Sequence, residues 1–206
     1  MPFAMVAKTK GGADVLARME IDVPQVGIDE VLVRHEAIGV NFIDIYIREG
    51  SYPWPVDENL ILGSEGCGIV EAVGEAVDGI AVGDRVAYAQ PNGAYATHRV
   101  IAAPMVVKVP DEIASDVAAA TMLKGLTVAY LVNRSYQVKP GNVVLFHAAA
   151  GGVGLLAGQW LKSLGATVIG TAGGAEKCAL AAANSYDHVI DYRTQDFAAE
   201  IVRITN

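Results

Sequence analysis

Cysteine is nearly absent from this chain: Cys67 and Cys178 are the only two among 206 residues. They form no CxxC pair, so a disulfide-built scaffold is excluded and a reducing, cytoplasmic setting is expected. Metal-ligand clusters are missing as well. The four histidines, His35, His98, His147 and His188, show no ligand spacing, and two isolated cysteines cannot complete a zinc site, so no metal is expected. Positive charge is scarce, with 15 Lys and Arg against 23 Asp and Glu and a net charge of −8, which argues against nucleic acid as a partner. The longest apolar stretch, Val143 to Leu161, is broken by His147 and by glycines across a turn, so no membrane span is expected there. Met1-Pro2-Phe3-Ala4 lacks a secretory pattern, and no internal repeat or low-complexity segment is present. What remains is 52% hydrophobic content with 22 glycines, the composition of a well-buried α/β protein.

The richest stretch is Val143-Val144-Leu145-Phe146-His147-Ala148-Ala149-Ala150-Gly151-Gly152-Val153-Gly154. Five strand-forming residues lead into a small-residue turn, and Leu155 to Leu164 then repeats apolar residues at helical spacing. Such a strand–turn–helix lets backbone approach a pyrophosphate closely and points helix N-terminal N–H groups at it. Ala149 stands where the first glycine of G-x-G-x-x-G would be. Further on, Ala166 to Thr171 reads as a buried strand, Ala175 to Ala183 as a helix and His188 to Ile190 as a third strand. Strands alternating with helices imply a parallel sheet.

An NAD-selective unit carries an acid about 20 residues after the glycine turn, on the ribose 2′-hydroxyl. Here that corner reads Gly170-Thr171-Ala172-Gly173-Gly174, without an acid, followed by Lys177 and later by Tyr192-Arg193. Without the carboxylate a 2′-phosphate is not repelled, and the lysine ammonium attracts it, so NADPH is expected rather than NADH. Glu176 is the residue that would oppose this preference.

The first half is organised differently. Phe3 to Lys8, Glu30 to Ile38, Gly68 to Val73, Arg85 to Tyr88, Ala94 to Val100 and Met105 to Val109 read as short strands between turn residues. Many short strands suggest a small, partly barrel-like domain. Ser115 to Ala120 and Gly125 to Asn133 read as helices, and Lys139-Pro140-Gly141 breaks the chain before the nucleotide-binding strand. The expected division is 1–124 for the front domain and 125–206 for the dinucleotide-binding one.

In this order the residues resemble the medium-chain dehydrogenase/reductase superfamily, and within it the quinone oxidoreductases. The resemblance rests on Ala37-Ile38-Gly39-Val40-Asn41-Phe42-Ile43-Asp44-Ile45-Tyr46-Ile47-Arg48-Glu49-Gly50-Ser51-Tyr52 and on Gly63-Ser64-Glu65-Gly66-Cys67-Gly68. It continues through Val82-Gly83-Asp84-Arg85-Val86, Lys124-Gly125-Leu126-Thr127-Val128 and the Ala148 to Gly154 turn. It implies a GroES-like front domain followed by a Rossmann domain, an α/β architecture. Where the zinc-dependent alcohol dehydrogenases of the superfamily place a cysteine and a histidine ligand, this chain has Asn41 and Ser64, and the structural zinc lobe is absent. A zinc-free site is therefore expected. Reduction of a simple ketone by hydride calls for a strong electrophile, whereas a quinone or conjugated enone is already electron-poor, so hydroxyl or amide donors suffice.

The donors named for that task are Asn41, Asp44, Tyr46 and Tyr52, and the resemblance sets Tyr46 and Tyr52 beside substrate and nicotinamide. The family's cofactor contacts fall on Asn41, Tyr46, Thr127, Tyr130, Ala150, Gly151, Gly152, Val153, Gly154, Gly173, Lys177 and Tyr192. A dinucleotide fold has two halves and about six strands. After the third strand only one helix fits, roughly Gln195 to Thr205, so the chain reads as the first half: a fragment, an early-terminated product or an incomplete gene model. Dimerisation through the outer strand of the later half, usual in the branch, is not expected here. Three functions stay open: an NADPH-dependent quinone reductase, an enoyl or alkenal reductase of the same superfamily, and an NADPH-binding remnant without turnover.

Overall fold

The structure, a computed structural model, describes residues 1–57, 59–89 and 92–205. It divides into a front unit, Met1–Leu123, and a back unit, Lys124–Asn206. Front strands are β1 (Phe3–Ala7), β2 (Leu16–Glu20) and β3 (Glu30–Gly39); after helix α1 (Phe42–Glu49) come β4 (Leu60–Ile61), β5 (Glu65–Val73), β6 (Arg85–Ala89), β7 (His98–Ala102) and β8 (Val106–Lys108). They form a five-stranded antiparallel sheet in the order β7-β3-β5-β6-β8 and a three-stranded sheet in the order β2-β1-β4. Alternate β-branched residues close the core: Val31, Val33, Val70 and Val86 are fully buried with Tyr88 and Ile101. Each such side chain contributes about 1.5–3 kcal/mol of burial.

Two front elements differ from the sequence-based reading. Leu16–Glu20 is a strand that pairs with β1, and the segment after Asn41, to which the sequence reading assigns no element, is a helix. Asn41 is extended at the helix N-cap, its N–H donates to Asp44 Oδ2 at 2.9 Å, and Gly50 ends the helix in the left-handed region at φ 86°. These are ordinary start and stop signals.

The two helices expected around the division form one helix, α2 (Ser115–Tyr130), extended by a π-helical turn, Leu131–Ser135. No residue between Ala120 and Gly125 breaks helical spacing, and Gly125 alone does not stop a helix. Ser115–Ser135 is long and apolar enough, by length and composition, to cross a membrane. Its Ala118 and Ala119 pack on Cys67 and Ala87 of the front core.

The back unit continues with β9 (Val143–Phe146), α3 (Gly152–Ser163), β10 (Thr167–Ala172), α4 (Ala175–Ala183), β11 (His188–Asp191) and α5 (Phe197–Thr205). Its three strands run parallel in the order β11-β10-β9, as the alternation of strand and helix predicts. Residues 168–172 of the central strand are all buried, the mark of a parallel strand covered on both faces. Tyr186 fills the space between α3 and β10. Its hydroxyl donates to the Gly154 carbonyl at 2.7 Å, and Gly158 and Gly170 leave room for its ring.

Candidate functional site: a polar loop in the front unit and a glycine turn in the back unit

In the front unit the loop before α1 is held by two buried carboxylates. Asp44 is 3% exposed and accepts from Ser64 Oγ at 2.8 Å, Tyr95 Oη at 3.0 Å and the Asn41 N–H. Glu65 is completely buried and accepts from Asn41 Nδ2 at 2.9 Å and from the Leu123 N–H at 2.7 Å. Buried carboxylates are tolerated when their oxygens meet donors, and both meet this condition. Burial first, and then the neighbouring Asp44, pushes the Tyr95 hydroxyl well above the usual phenol range, which keeps it a donor.

Asp44 was expected to offer a hydrogen bond toward substrate. Its position is different: it lies behind the loop, with its oxygens engaged as acceptors.

Tyr46 and Tyr52 do come together. After the Gly50 turn the Tyr52 N–H donates to the Tyr46 carbonyl at 3.2 Å, and the two rings stack with centroids 6.1 Å apart at 17°. Phe42 extends the row, 6.4 Å from Tyr46, so two exposed rings of α1 and Tyr52 beyond its end form one aromatic row. Phe42 was not singled out from the sequence; the spacing of four residues from Tyr46 is the signal that marks it. A largely apolar cavity of about 590 Å³ lies on another face of α1, beside Val40, Asp44 and Ile45, and does not include the three rings.

The back unit brings together most of the expected cofactor residues. Ala148, at φ 54°, turns the chain after β9, and α3 starts at Gly152. Leu155 is the first helix residue whose N–H reaches back, to Gly151; the N–H groups of Gly152, Val153 and Gly154 have no acceptor among the described residues. Gly154 is enforced by packing, since a Cβ there would collide with the carbonyls of Ala148 and Ala149. This is a backbone cradle at a helix N-terminus.

At the end of β10, a Cβ on Gly173 would stand 2.5 Å from the Tyr192 hydroxyl, so Tyr192 lies across that turn. Lys177 is exposed in the first turn of α4. Two further residues converge here that were not assigned to the site from the sequence. Asp191 Oδ1 accepts the Gly174 N–H at 2.9 Å and the Arg193 N–H at 3.0 Å, and these two bonds hold its carboxyl below the usual range. Arg193 Nη1 would be 3.4 Å from a Cβ on Gly174. Arg193 adjoins Tyr192, and that adjacency was its only sequence signal. Thr127 is half-buried and Tyr130 exposed, on either side of the buried Val128 on α2.

Comparison with known proteins bears on both units. The model of the alcohol dehydrogenase GroES-like domain matches residues 27–111, and that of the zinc-binding dehydrogenases matches residues 152–206. A quinone oxidoreductase of Pseudomonas aeruginosa is 48% identical over 197 residues, covering 95% of this chain and 60% of that protein. The crystal structure of Escherichia coli quinone oxidoreductase complexed with NADPH superposes with a TM-score of 0.95 at 45% identity, over 98% of this chain and 62% of that one. The chain belongs to the medium-chain dehydrogenase/reductase superfamily. It spans about 60% of the length of the quinone oxidoreductases it matches. A 2-haloacrylate reductase of a Burkholderia species is 42% identical over the whole chain and 63% of its own length.

The α/β architecture of a GroES-like unit followed by a Rossmann-like portion is that of the superfamily. For this member the zinc-binding name of the second model does not match a donor set. Among the described residues no group of three or more His, Cys, Asp or Glu stands together. Asn41 and Ser64 are a neutral amide and a hydroxyl, each bonded to a carboxylate that already serves other protein donors. Those residues do not fit zinc.

Proposed function

We propose that this chain carries the substrate-facing loop and the adenosine-phosphate half of an NADPH-dependent, zinc-independent quinone reductase. The observation that carries the reading is the pair of turns in the back unit. Three N–H groups start α3 without an acceptor among the described residues, and the turn after β10 is itself glycine, Gly173-Gly174, with Lys177 following in α4. Both fit a phosphorylated dinucleotide. The Gly152–Gly154 N–H groups receive the pyrophosphate, while Gly173, Lys177 and Tyr192 take the 2′-phosphate. When bound, NADPH supplies the hydride.

The chain's own residues bind and orient. Glu65 fixes Asn41 by taking one of its amide hydrogens, Asp44 fixes the start of α1, and Tyr46 and Tyr52 offer stacked faces and hydroxyl donors to a flat acceptor. Thr127, Tyr130 and Asn41 serve the nicotinamide side in this reading. A quinone needs no metal electrophile, because its reduced anion is delocalised. The cytoplasm is the corresponding compartment, consistent with Cys67 and Cys178 both being free thiols.

Titration of the folded 206-residue chain with 2′,5′-ADP and with 5′-AMP tests the coenzyme reading. Tighter binding of 2′,5′-ADP is expected, and equal or absent binding would sink it. The similarity to 2-haloacrylate reductase favours a second acceptor class, conjugated alkenes. NADPH oxidation measured with a quinone and with a 2-alkenal in parallel separates the two, with the quinone expected to be faster.

A further inference from the structure

We propose that Arg193, set against Asp191, is the residue that decides between a 2′-phosphate and a bare ribose in this chain, with Lys177 in a lesser role. The inference rests on the NADPH reading above and adds to it the group that makes the choice. The turn is not free of acid: Asp191 reaches it from the end of β11 and fastens Gly174 through its N–H. A carboxylate so close to the ribose corner repels a 2′-phosphate unless a cation offsets it. Glu176, exposed in the first turn of α4, adds a second negative charge.

Arg193 is placed to offset both. Its backbone N–H is fixed on the same Asp191 oxygen, and its guanidinium lies against Gly174, with Nη1 3.4 Å and Cζ 3.9 Å from the position of a Cβ there. Gly174 has φ 94°, so its side toward Arg193 stays bare. Among the described residues the guanidinium donates no hydrogen bond and makes no ion pair. A planar fork of N–H donors therefore faces a glycine turn that the Tyr192 hydroxyl borders from the Gly173 side. That arrangement suits the bidentate recognition of a phosphate. Lys177 has a single ammonium on a flexible stem and no side-chain hydrogen bond or ion pair among the described residues to fix it.

The test uses the full 206-residue chain with 2′,5′-ADP and 5′-AMP, folding being checked by circular dichroism for every variant. Arg193→Ala is expected to weaken 2′,5′-ADP about 10- to 100-fold while leaving 5′-AMP unchanged. Lys177→Ala is expected to lose less, about threefold to fivefold, and Arg193→Lys to regain part of the loss. Asp191→Asn keeps the acceptor for Gly174 and removes the repulsion, so 2′,5′-ADP should tighten about threefold. The proposal is overturned if Arg193→Ala retains the preference that Lys177→Ala abolishes, or if it weakens both nucleotides equally, which would make Arg193 an adenine contact. A wild-type chain that is folded but shows no preference overturns the coenzyme reading itself, an outcome distinct from either.

Discussion

The two units build their sites from opposite materials. In the front unit the loop before α1 is held by side chains: Asp44 and Glu65, both buried, gather five donors between them from Asn41, Ser64, Tyr95 and Leu123. In the back unit the cradle is backbone, shaped by what glycines leave out, and its charged side chains stand at the rim in water. A site of buried side chains is rigid but depends on every partner. A backbone site depends on the absence of Cβ atoms and tolerates much change around it. The chain also has one tryptophan in each unit, Trp54 in front and Trp160 behind, so each unit can be followed separately.

The comparison breaks most visibly at Gly154. Gly154→Val forces a side chain into the carbonyls of Ala148 and Ala149 and is expected to cost about 3 kcal/mol and to abolish nucleotide binding. In a Trp54→Phe background, urea unfolding followed by Trp160 fluorescence should show the whole loss. Front-unit unfolding read from Trp54 in a Trp160→Phe background should move less.

Glu65→Met is the front counterpart. It removes the carboxylate that accepts from the Asn41 amide and the Leu123 N–H, an expected cost between about 2 and 3 kcal/mol in the Trp54 signal. Glu65→Gln should cost less, because Asn41 can turn its amide over and accept. Equal losses from both variants would mean that the carboxylate only fills space.

A pH dependence sharpens the contrast further. His35 Nδ1 donates to the Ala96 carbonyl and Nε2 accepts from Tyr88 Oη, each at 2.6 Å. Burial, with help from the Arg99 and His98 charges, lowers its pKa from 6.5 to about 4. The unfolded chain then takes up a proton below pH 6.5 that the folded one refuses until about pH 4, so stability falls as the pH drops through that window. About 2 kcal/mol should be lost by pH 5, in the front unit only, and His35→Gln should remove that slope. A slope of the same size in Trp160 would show that the units do not unfold separately. The smallest effect is expected from Ser64→Ala, about 1 kcal/mol, since Asp44 keeps Tyr95 and the Asn41 N–H.

The same contrast explains what could be read from the sequence. The back unit was legible because its fold follows from glycine spacing and strand–helix alternation, both local patterns: the expected strand at 166–171 lies one residue from β10, and the expected helix at 175–183 coincides with α4. The turn from Ala150 to Gly154 and Lys177 were proposed from the same local patterns, whereas Gly173 and Tyr192 were proposed mainly from the family resemblance.

The front site was legible only in part. Asn41, Tyr46 and Tyr52 were named, yet α1 was missed, although Asn41 followed by Asp44 and closed by Gly50 spells a short capped helix. Asp44 was grouped with the donors toward substrate, because nothing local announces that its carboxylate turns inward. Glu65 and Asp191 show the general reason. Glu65 accepts from residues 24 and 58 positions away, and Asp191, besides the local Arg193 N–H, accepts from Gly174 17 positions away; only the fold brings these distant partners together.

Gly39 and Glu65 carry a consequence for how such sequences can drift. Gly39 pairs with Glu65 across the sheet, and a Cβ on it would run into the Glu65 carboxylate. The two positions are therefore one choice made in two places. Alanine at 39 is penalised while glutamate occupies 65, and shortening 65 to aspartate strands its donors while leaving an empty pocket that only a residue larger than glycine fills. Each single step is costly and the pair together less so than their sum, so the two positions are expected to change together.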